Sequence, residues 1–521
     1  MVNKIVILGL DGATWTKLDE YEKKGIMPNF SSIIKKGTKA VLNSNFPFTS
    51  GTAWTTILTG VNPGKHGIPH YSIDGKQESP SIWQVLSDRG LTSLVMNDLI
   101  TYPPLKIKGM MISGGFSTPS GSKNFTFPEK IRDEINSMIE SYQPSLDKDA
   151  FKKAQNGKLD EFFKEVENFG DNVMEAGLAL GKKYEWDVFS TTVENSDYIH
   201  HFFWDKTNFL EKFYGWLDDK INEFYKLANS NGANFIIISD HGFGPIKKHF
   251  LVNTWLDQSG FTQLGKPGKI RKSLSKTTIK RDSVREKLTK LKIRKIASKV
   301  TPQAIKGMIP IEQIEDGFIE KSTRVFSEAY NEIIVNVDDP TAYEKLRDEI
   351  IEKLMKIEDD GEKIVQKALK KEDVFHGPYV DRAYDIQLLL NEGFCWSPSI
   401  RDNFVLSTEE FGKLRSGDHR PEGILFATGP DIKADCKLEN KVDNLDVFPT
   451  ILHLLEQSIP DYIDGKVIEG IFNEGSDVGK RKIIFENLSE ENKIKQNESD
   501  ESYSEEEEAE IRQHLKDMGY I

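Results

Sequence analysis

Short apolar runs alternate along the chain with longer segments in which apolar residues recur at a helical period. Three of the runs have the length and composition of fully buried strands, and they span residues 4–10, 186–193 and 234–239. The longer segments, which we expect to be helical, span 126–182 and 205–230. Each strand ends at polar residues, which are Asp11, the segment from Glu194 to Asp197, and Asp240. This pattern predicts an α/β fold with a mainly parallel central sheet, helices on both faces, and a site beyond the carboxyl ends of the strands.

The alternation changes in the middle of the chain, where we expect a smaller α+β unit. A strand-like run at 331–337 precedes a helix-like run at 341–357, and the buried strand pattern returns only at 423–429. The predicted division is a core of residues 1–245 and 376–487 with an inserted cap of residues 246–375.

Charge marks two further segments. Residues 266–299 contain fourteen Lys or Arg against two acidic residues. This basic stretch is either a solvated helical surface or a surface that guides an anionic substrate. Residues 488–521 begin as an acidic linker and end in a predicted helix, where Ser504 and Glu507 form a capping box. Ile511 lies on the apolar face of that helix, which we expect to dock on the core.

Composition excludes several classes of protein. The chain has 521 residues, of which 38% are hydrophobic, and its formal net charge of -13 argues against general binding to nucleic acid duplexes. It has two cysteines, so we expect no disulfide framework and predict a reducing, cytoplasmic location. Asp11 interrupts the first apolar run and no cleavage site follows, which indicates a buried strand rather than a signal peptide. No apolar run reaches the roughly 18 residues of a membrane span.

Aspartate and histidine recur where the predicted strands end. They occur in "DG" at 11–12, "SDHG" at 239–242, "DYIHH" at 197–201 and "GDHRPEG" at 417–423. Singly, each is a weak signal, because such pairs are common as hydrogen-bonded loop residues or as neighbours on one helix face. Together they contain four aspartates and four histidines, enough to supply three aspartate and three histidine ligands, the types that suit zinc or manganese.

The stretch "FPFTSGTAWTTILTGVNPGKHGI", residues 46–68, combines hydroxyls, a tryptophan, glycines and a histidine between flanks that look buried. A hydroxyl before a helical run can simply cap the helix. The same position would aim a hydroxyl nucleophile at a substrate, beside backbone N–H groups that can hold a phosphate oxygen. The two interpretations are compatible with each other.

Eight motifs follow one another along the chain: "LGLDGATW", "MPNF", "FTSGTAWTTILTGVNPGKHGI", "NDLITYPP" with "GMMISGG", "ENSDYIHHFFW", "SDHGFGP", "GDHRPEGILFATGP" and "DNLDVFPTILHLL". In the sequence and the order of these motifs, the chain resembles the alkaline phosphatase superfamily. Within the superfamily it is most similar to the type I phosphodiesterase and nucleotide pyrophosphatase branch and to related phosphohydrolases or phosphomutases. The resemblance extends over about residues 3–475.

The resemblance implies a site with two divalent metal ions, zinc in the first place and manganese as the alternative. One ion is assigned to Asp197, His201 and His419. The other ion is assigned to Asp11, Asp240 and His241. His201 is chosen over its neighbour His200 because the motif of the superfamily is Asp-x-x-x-His.

The resemblance also implies a hydroxyl nucleophile. Ser50 lies ten residues before Gly60, which is the spacing of the nucleophile in the superfamily, and Thr49 beside it is the alternative. Many diesterase relatives place an asparagine after "HGI" to hold a phosphoryl oxygen, whereas this chain offers His70 or Tyr71 for binding the substrate. Each of the two could equally be a packing residue.

We therefore predict a hydrolase that cleaves phosphodiester or pyrophosphate bonds through a covalent phospho-Ser50 intermediate. Its substrate would be a small phosphorylated molecule, either a nucleotide or another phosphodiester. One alternative is a phosphomutase or phosphotransferase that uses the same site. The other is a scaffold that binds a ligand without turnover, and the presence of all six implied metal ligands argues against it.

Overall fold

The computed structural model describes residues 3–70, 77–140, 142–147, 149–265, 269, 272, 323–328, 330–412, 415–487, 506, 507, 510 and 511. All of the basic stretch except Lys269 and Lys272 lies outside the described residues, as does Ser504 of the predicted capping box. None of the helices within those ranges is long and apolar enough to cross a membrane.

Contacts divide the chain into two compact units. The first consists of Met1–Pro245, Phe375–Ala383 and Leu414–Tyr520, and the second of Ile246–Val374, Tyr384–Lys413 and Ile521. Residues 384–413, which the sequence assigned to the core, group with the second unit. The reason is that strand Ile386–Leu390 pairs with Val365–Lys370 and Glu332–Val335 of the insert.

A ten-stranded sheet forms the centre of the first unit. Its strands run in the order Cys436–Lys437, Gly37–Asn43, Glu422–Thr428, Asn234–Ile238, Ile5–Leu10, Val188–Val193, Ser93–Met96, Gly109–Ile112 and Thr126–Phe127, with Val442–Asp443 also pairing with Gly37–Asn43. The five strands from Asn234–Ile238 to Gly109–Ile112 are parallel, while Glu422–Thr428 is antiparallel to both of its neighbours. The predicted α/β class with a mainly parallel sheet is thus confirmed.

The three strands predicted from apolar runs lie next to one another in this sheet. Ile5–Leu10 pairs in parallel with Val188–Val193 on one side and with Asn234–Ile238 on the other. Every residue of the three strands is buried, which explains why their sequences are continuously apolar or small rather than alternating. Their carboxyl ends therefore meet at one edge of the sheet.

Amphipathic helices pack on this sheet. The longest, Leu159–Lys183, buries Phe162, Val166, Phe169 and Val173, which recur at helical spacing along one face. The helices of the first unit are Trp15–Lys23, Pro28–Ile34, Ser50–Thr59, Pro63–His66, Ile82–Asp88, Lys130–Met138, Ala150–Gln155, Leu159–Lys183, Asn195–Phe203, Thr207–Ser230, Val447–Leu454 and Asp477–Lys480. Three 3₁₀ turns lie at Val380–Arg382, Asn444–Asp446 and Glu469–Ile471, and strands Ile459–Pro460 and Phe485–Glu486 pair in parallel.

The second unit is of the α+β type. Its main sheet has the order Val365–Lys370, Ile386–Leu390, Glu332–Val335 and Val325–Phe326, with antiparallel neighbours. Helix Pro340–Leu354 begins at Asp339, whose side chain accepts a hydrogen bond from the N–H of Ala342, and buries Ile350 and Leu354. The remaining elements are helices Val252–Gln258, Lys371–Val374 and Thr408–Phe411, the hairpin Glu358–Asp359 and Glu362–Lys363, and strands Gly393–Ser397 and Val405–Ser407, which pair with the later part of Gly242–Leu251.

The described part of the C-terminal segment contacts the first unit. The hydroxyl of Tyr102 donates a hydrogen bond of 2.6 Å to Glu507 Oε1, and the N–H of Ser120 donates one of 2.9 Å to Glu510 Oε1. Ile511 is buried. These contacts agree with the expected docking of this segment on the core.

Candidate metal centre

Strand ends bring the predicted acidic residues together. Asp11 directly follows strand Ile5–Leu10, and its N–H donates to the carbonyl oxygen of Val193 at 3.0 Å, which continues the pairing of the two strands. Asp240 follows the adjacent strand Asn234–Ile238. Asp197 lies in the first turn of helix Asn195–Phe203, which starts just after strand Val188–Val193. The three aspartates therefore share one edge of the sheet.

His419 reaches the same edge from a different part of the chain. It lies in strand Gly417–Arg420, which pairs antiparallel with residues 242–245, so that His419 is opposite Phe243. The imidazole rings of His419 and His241 stack with their centroids 3.9 Å apart. His419 Nδ1 is 3.2 Å from the carbonyl oxygen of Phe48, which leaves Nε2 directed at the acidic residues.

The first predicted ligand set, Asp197, His201 and His419, is brought together. Asp197 Oδ1 lies 3.2 Å from His419 Nε2 and 3.5 Å from His201 Nε2. The two Nε2 atoms are 3.1 Å apart. Asp197 and His201 are four residues apart on one helix and therefore face the same way.

The second predicted set, Asp11, Asp240 and His241, is also brought together, with ligand atoms that lie within 4.8 Å of one another. His241 Nε2 is 3.5 Å from Asp11 Oδ1 and 3.4 Å from Asp240 Oδ2. A group of Asp197, His241 and His419 meets the same distance limit. His241 thus lies between the two sets, which places them side by side.

Ser50 contacts this cluster, whereas its neighbour Thr49 makes no described contact with it. Ser50 is the first residue of helix Ser50–Thr59, and its Oγ donates a hydrogen bond of 3.1 Å to Asp11 Oδ1. The same Oγ lies 3.2 Å from His241 Nε2. Thr49 precedes the helix, and its Oγ1 is buried without a hydrogen bond to any residue in the described ranges.

Burial and mutual repulsion shape the electrostatics of the cluster. Burial is the largest cause that raises the pKa of Asp11 and Asp240 well above the ordinary range, and the nearby carboxylate of Asp197 raises both further. Burial also lowers the pKa of His201 and His419 well below the ordinary value. Both imidazoles are therefore neutral, which is the form that binds metal ions.

The donor set fits divalent cations. All six predicted ligands are buried, with at most 2% of any of them exposed. Asp240 Oδ2 accepts no hydrogen bond from any residue that the structure describes. Carboxylates concentrated in a dry pocket remain ionised only if positive charge is bound nearby. Carboxylate oxygen and imidazole nitrogen are suitable ligands for both zinc and manganese.

Two residues that the sequence prediction missed adjoin the cluster. The indole Nε1 of Trp54 donates a hydrogen bond of 3.1 Å to Asp11 Oδ2. Trp54 lies four residues after Ser50 in one predicted helix, so helical spacing could have revealed it. Arg415 Nη2 lies 2.6 Å from His201 Nδ1 and 3.2 Å from Asp418 Oδ1. Arg415 comes from a loop, where no periodic signal exists.

Of the two residues predicted to bind the substrate, the structure describes only His70, and its described contact is with a different segment. His70 hydrogen-bonds the backbone of Arg382, and burial lowers the pKa of His70 to about 4. Tyr71 lies outside the described residues. The substrate-binding role of both residues stays a prediction.

Known proteins share the sequence pattern and the fold of this chain. The profile of a family described as type I phosphodiesterase / nucleotide pyrophosphatase matches residues 5–397. This range includes Ser50 and five of the six predicted ligands, while His419 and Arg415 follow it. Comparison with curated protein sequences finds no match.

Two solved structures are similar over most of their length. Human ectonucleotide pyrophosphatase/phosphodiesterase 5 has 15% sequence identity and a TM-score of 0.50, over 90% of this chain and 100% of that one. Phosphonoacetate hydrolase from Sinorhizobium meliloti, in complex with phosphonoformate, has 16% identity and a TM-score of 0.48. The match covers 87% of this chain and 95% of the hydrolase. At such a low identity, the likeness to the human protein concerns the fold alone.

Proposed function

The chain belongs to the type I phosphodiesterase/nucleotide pyrophosphatase family and is a metal-dependent phosphohydrolase. We propose that it cleaves phosphodiester or pyrophosphate bonds through a covalent intermediate on Ser50 at a two-metal site. The resemblance inferred from the sequence motifs is confirmed by this membership. The observation that carries the proposal is the contact of Ser50 Oγ with Asp11 Oδ1 at 3.1 Å and with His241 Nε2 at 3.2 Å.

The six acidic and histidine ligands would hold two divalent ions. Asp197, His201 and His419 would bind one ion, and Asp11, Asp240 and His241 the other. When bound, two such cations lower the pKa of a hydroxyl near them and neutralise the oxygens of a phosphoryl group. Zinc is the proposed metal and manganese the alternative.

The protein's own residues orient the nucleophile and the substrate. Asp11 accepts the hydrogen bond of the Ser50 hydroxyl, which turns an oxygen lone pair of Ser50 away from that carboxylate. The first turn of helix Ser50–Thr59 carries backbone N–H groups without acceptors in the preceding turn, and such groups can hold a phosphoryl oxygen. The guanidinium of Arg415 offers further donors at the His201 side of the cluster.

The proposed reaction has two displacements at phosphorus. In the first, Ser50 Oγ forms a bond to phosphorus while the bond to the leaving alcohol or phosphate breaks. The proton of the Ser50 hydroxyl passes to the leaving oxygen or to solvent, and the remaining phosphoryl group stays on Ser50. In the second, water attacks the same phosphorus, the Oγ–P bond breaks, and a proton released by that water restores the hydroxyl of Ser50. Transfer to an alcohol instead of water would make the protein a phosphotransferase or mutase at the same site.

The pair Ser50→Ala and Thr49→Ala tests the nucleophile. Both residues are buried hydroxyls at the start of one helix, but only Ser50 contacts Asp11. We expect Ser50→Ala to lose turnover of a panel of phosphate monoesters, phosphodiesters and pyrophosphates while both metals stay bound, because its six ligands remain. Thr49→Ala should stay active. If Ser50→Ala keeps more than a few percent of the activity, Ser50 is not the nucleophile.

A further inference from the structure

Ser50 and Trp54 lie on the same helix, and each donates a hydrogen bond to a different oxygen of the Asp11 carboxylate. The hydroxyl of Ser50 donates to Asp11 Oδ1 at 3.1 Å, and the indole N–H of Trp54 donates to Asp11 Oδ2 at 3.1 Å. The two residues are four positions apart in helix Ser50–Thr59 and therefore project from the same face. Trp54 is buried, with 3% of its surface exposed, so solvent competes little for this hydrogen bond.

The backbone beside Asp11 makes room for this indole. Gly9 lies two residues before Asp11 in strand Ile5–Leu10. A Cβ atom at Gly9 would lie 2.7 Å from Cη2 of Trp54 and 2.5 Å from Oγ1 of Thr192, closer than real Cβ atoms approach their neighbours. Glycine is thus required here for close packing, and the strand that presents Asp11 also seats the tryptophan that contacts it.

We propose that Trp54 is a positioning residue that fixes the orientation of the Asp11 carboxylate and thereby sets the affinity of the site for its metal. The hydrogen bond to Oδ2 prevents rotation of the carboxylate and keeps Oδ1 facing Ser50 and His241. Loss of a residue that hydrogen-bonds to a metal ligand, without binding the metal itself, typically weakens metal binding by about 10–100-fold. This inference rests on the proposed function only in taking Asp11 as a metal ligand.

The test compares Trp54→Phe with Trp186→Phe. Phenylalanine keeps an aromatic ring but has no N–H. Trp186 is a matched control because it is also 3% exposed and its Nε1 donates a hydrogen bond of 2.9 Å, but to the carbonyl oxygen of Gly181. We expect Trp54→Phe to weaken binding of Zn²⁺ or Mn²⁺, each measured alone by competition with a chelator, by about 10–100-fold. Trp186→Phe should bind either ion within about twofold of the wild type.

Tryptophan emission gives a second readout. The indole N–H of Trp54 is hydrogen-bonded to Asp11, which would bind the ion. Adding metal should therefore change the fluorescence emission of Trp54 in the wild type and in Trp186→Phe. The change in emission should be much smaller in Trp54→Phe, where the remaining response would come from other tryptophans such as Trp204, which stacks on Phe243 beside the histidines. If Trp54→Phe does not fold, 3-benzothienylalanine at position 54 keeps the shape of the indole and replaces its N–H by sulfur, and the same loss of affinity is expected.

Equal metal affinity of Trp54→Phe and Trp186→Phe would overturn the inference. Asp11→Asn separates this failure from failure of the proposed function. If Asp11→Asn loses metal while Trp54→Phe does not, Asp11 is a ligand and only the role of Trp54 is wrong. If Asp11→Asn also keeps the wild-type affinity, the proposed ligand set is wrong as well.

Discussion

Replacement of Glu332 by glutamine should stabilise the second unit at neutral pH. Glu332 is buried in strand Glu332–Val335, and its Oε1 accepts a hydrogen bond of 2.6 Å from Gln387 Nε2. Burial is the main cause that raises the pKa of Glu332 to about 8 from an ordinary value of 4.5, against the lowering effect of that hydrogen bond. Ionisation of this side chain is therefore costly in the folded state.

The sign and the size of the effect follow from this pKa. Between the ordinary value of 4.5 and about 8, the folded chain binds more protons at Glu332 than the unfolded chain does. Stability must then fall as the pH rises through this interval. At about 1.4 kcal/mol for each pH unit, the loss accumulated by pH 7 is roughly 3 kcal/mol. Glutamine keeps an acceptor for Gln387 but does not ionise, so the variant avoids this loss.

Chemical unfolding of the wild type and Glu332→Gln between about pH 4.5 and pH 8 measures the effect. The gain of the variant in free energy of unfolding should grow steadily with pH. Glu352→Gln is a control in the same unit, because Glu352 is an exposed side chain whose hydrogen bond with Lys356 and the nearby charge of Lys353 lower its pKa rather than raise it. It should leave the pH dependence unchanged. If the difference between Glu332→Gln and the wild type is the same at every pH, ionisation of Glu332 does not destabilise the folded chain in this interval.

Two further predictions concern the metal site and the insert. His419→Ala should lower the metal content from two ions to one and slow hydrolysis of the intermediate, and a content of two measured by elemental analysis would count against its role as a ligand. Replacing several Lys and Arg of residues 266–299 by Gln should raise KM for an anionic substrate and flatten the salt dependence of kcat/KM, with little change for a small, singly charged chromogenic diester. Equal loss of kcat for both substrates would show that the insert supports catalysis directly.

The sequence predicted those parts of the site that depend on strand ends. Asp11 and Asp240 follow continuous apolar runs, and parallel pairing of those runs is sufficient to bring the two side chains together. The position of His419 cannot be predicted from a strand end alone, because His419 reaches the site through the antiparallel pairing of strand Gly417–Arg420 with residues 242–245. The recurrence of Asp and His in the sequence pointed to residues 417–423, but only the resemblance to a family assigned His419 as a metal ligand.

Other features depend on tertiary packing, which leaves no local pattern. Arg415 contacts His201 from a loop, and the two residues are 214 positions apart in the sequence. Residues 384–413 join the second unit because strand Ile386–Leu390 pairs with strands on both sides. The apolar run that forms this strand fits either unit, since its sequence does not specify which strands will pair with it.

Trapping the covalent intermediate would show whether the phosphoryl group is transferred to Ser50. His419→Ala would be mixed with bis(4-nitrophenyl) phosphate, quenched in acid, digested and examined by mass spectrometry, with the double variant that also carries Ser50→Ala as the control. We predict a 4-nitrophenylphosphoryl group on the peptide that contains Ser50, formed together with one equivalent of 4-nitrophenol, and no adduct in the control. Release of 4-nitrophenol without any adduct, or an adduct on a residue other than Ser50, would show that Ser50 is not the nucleophile.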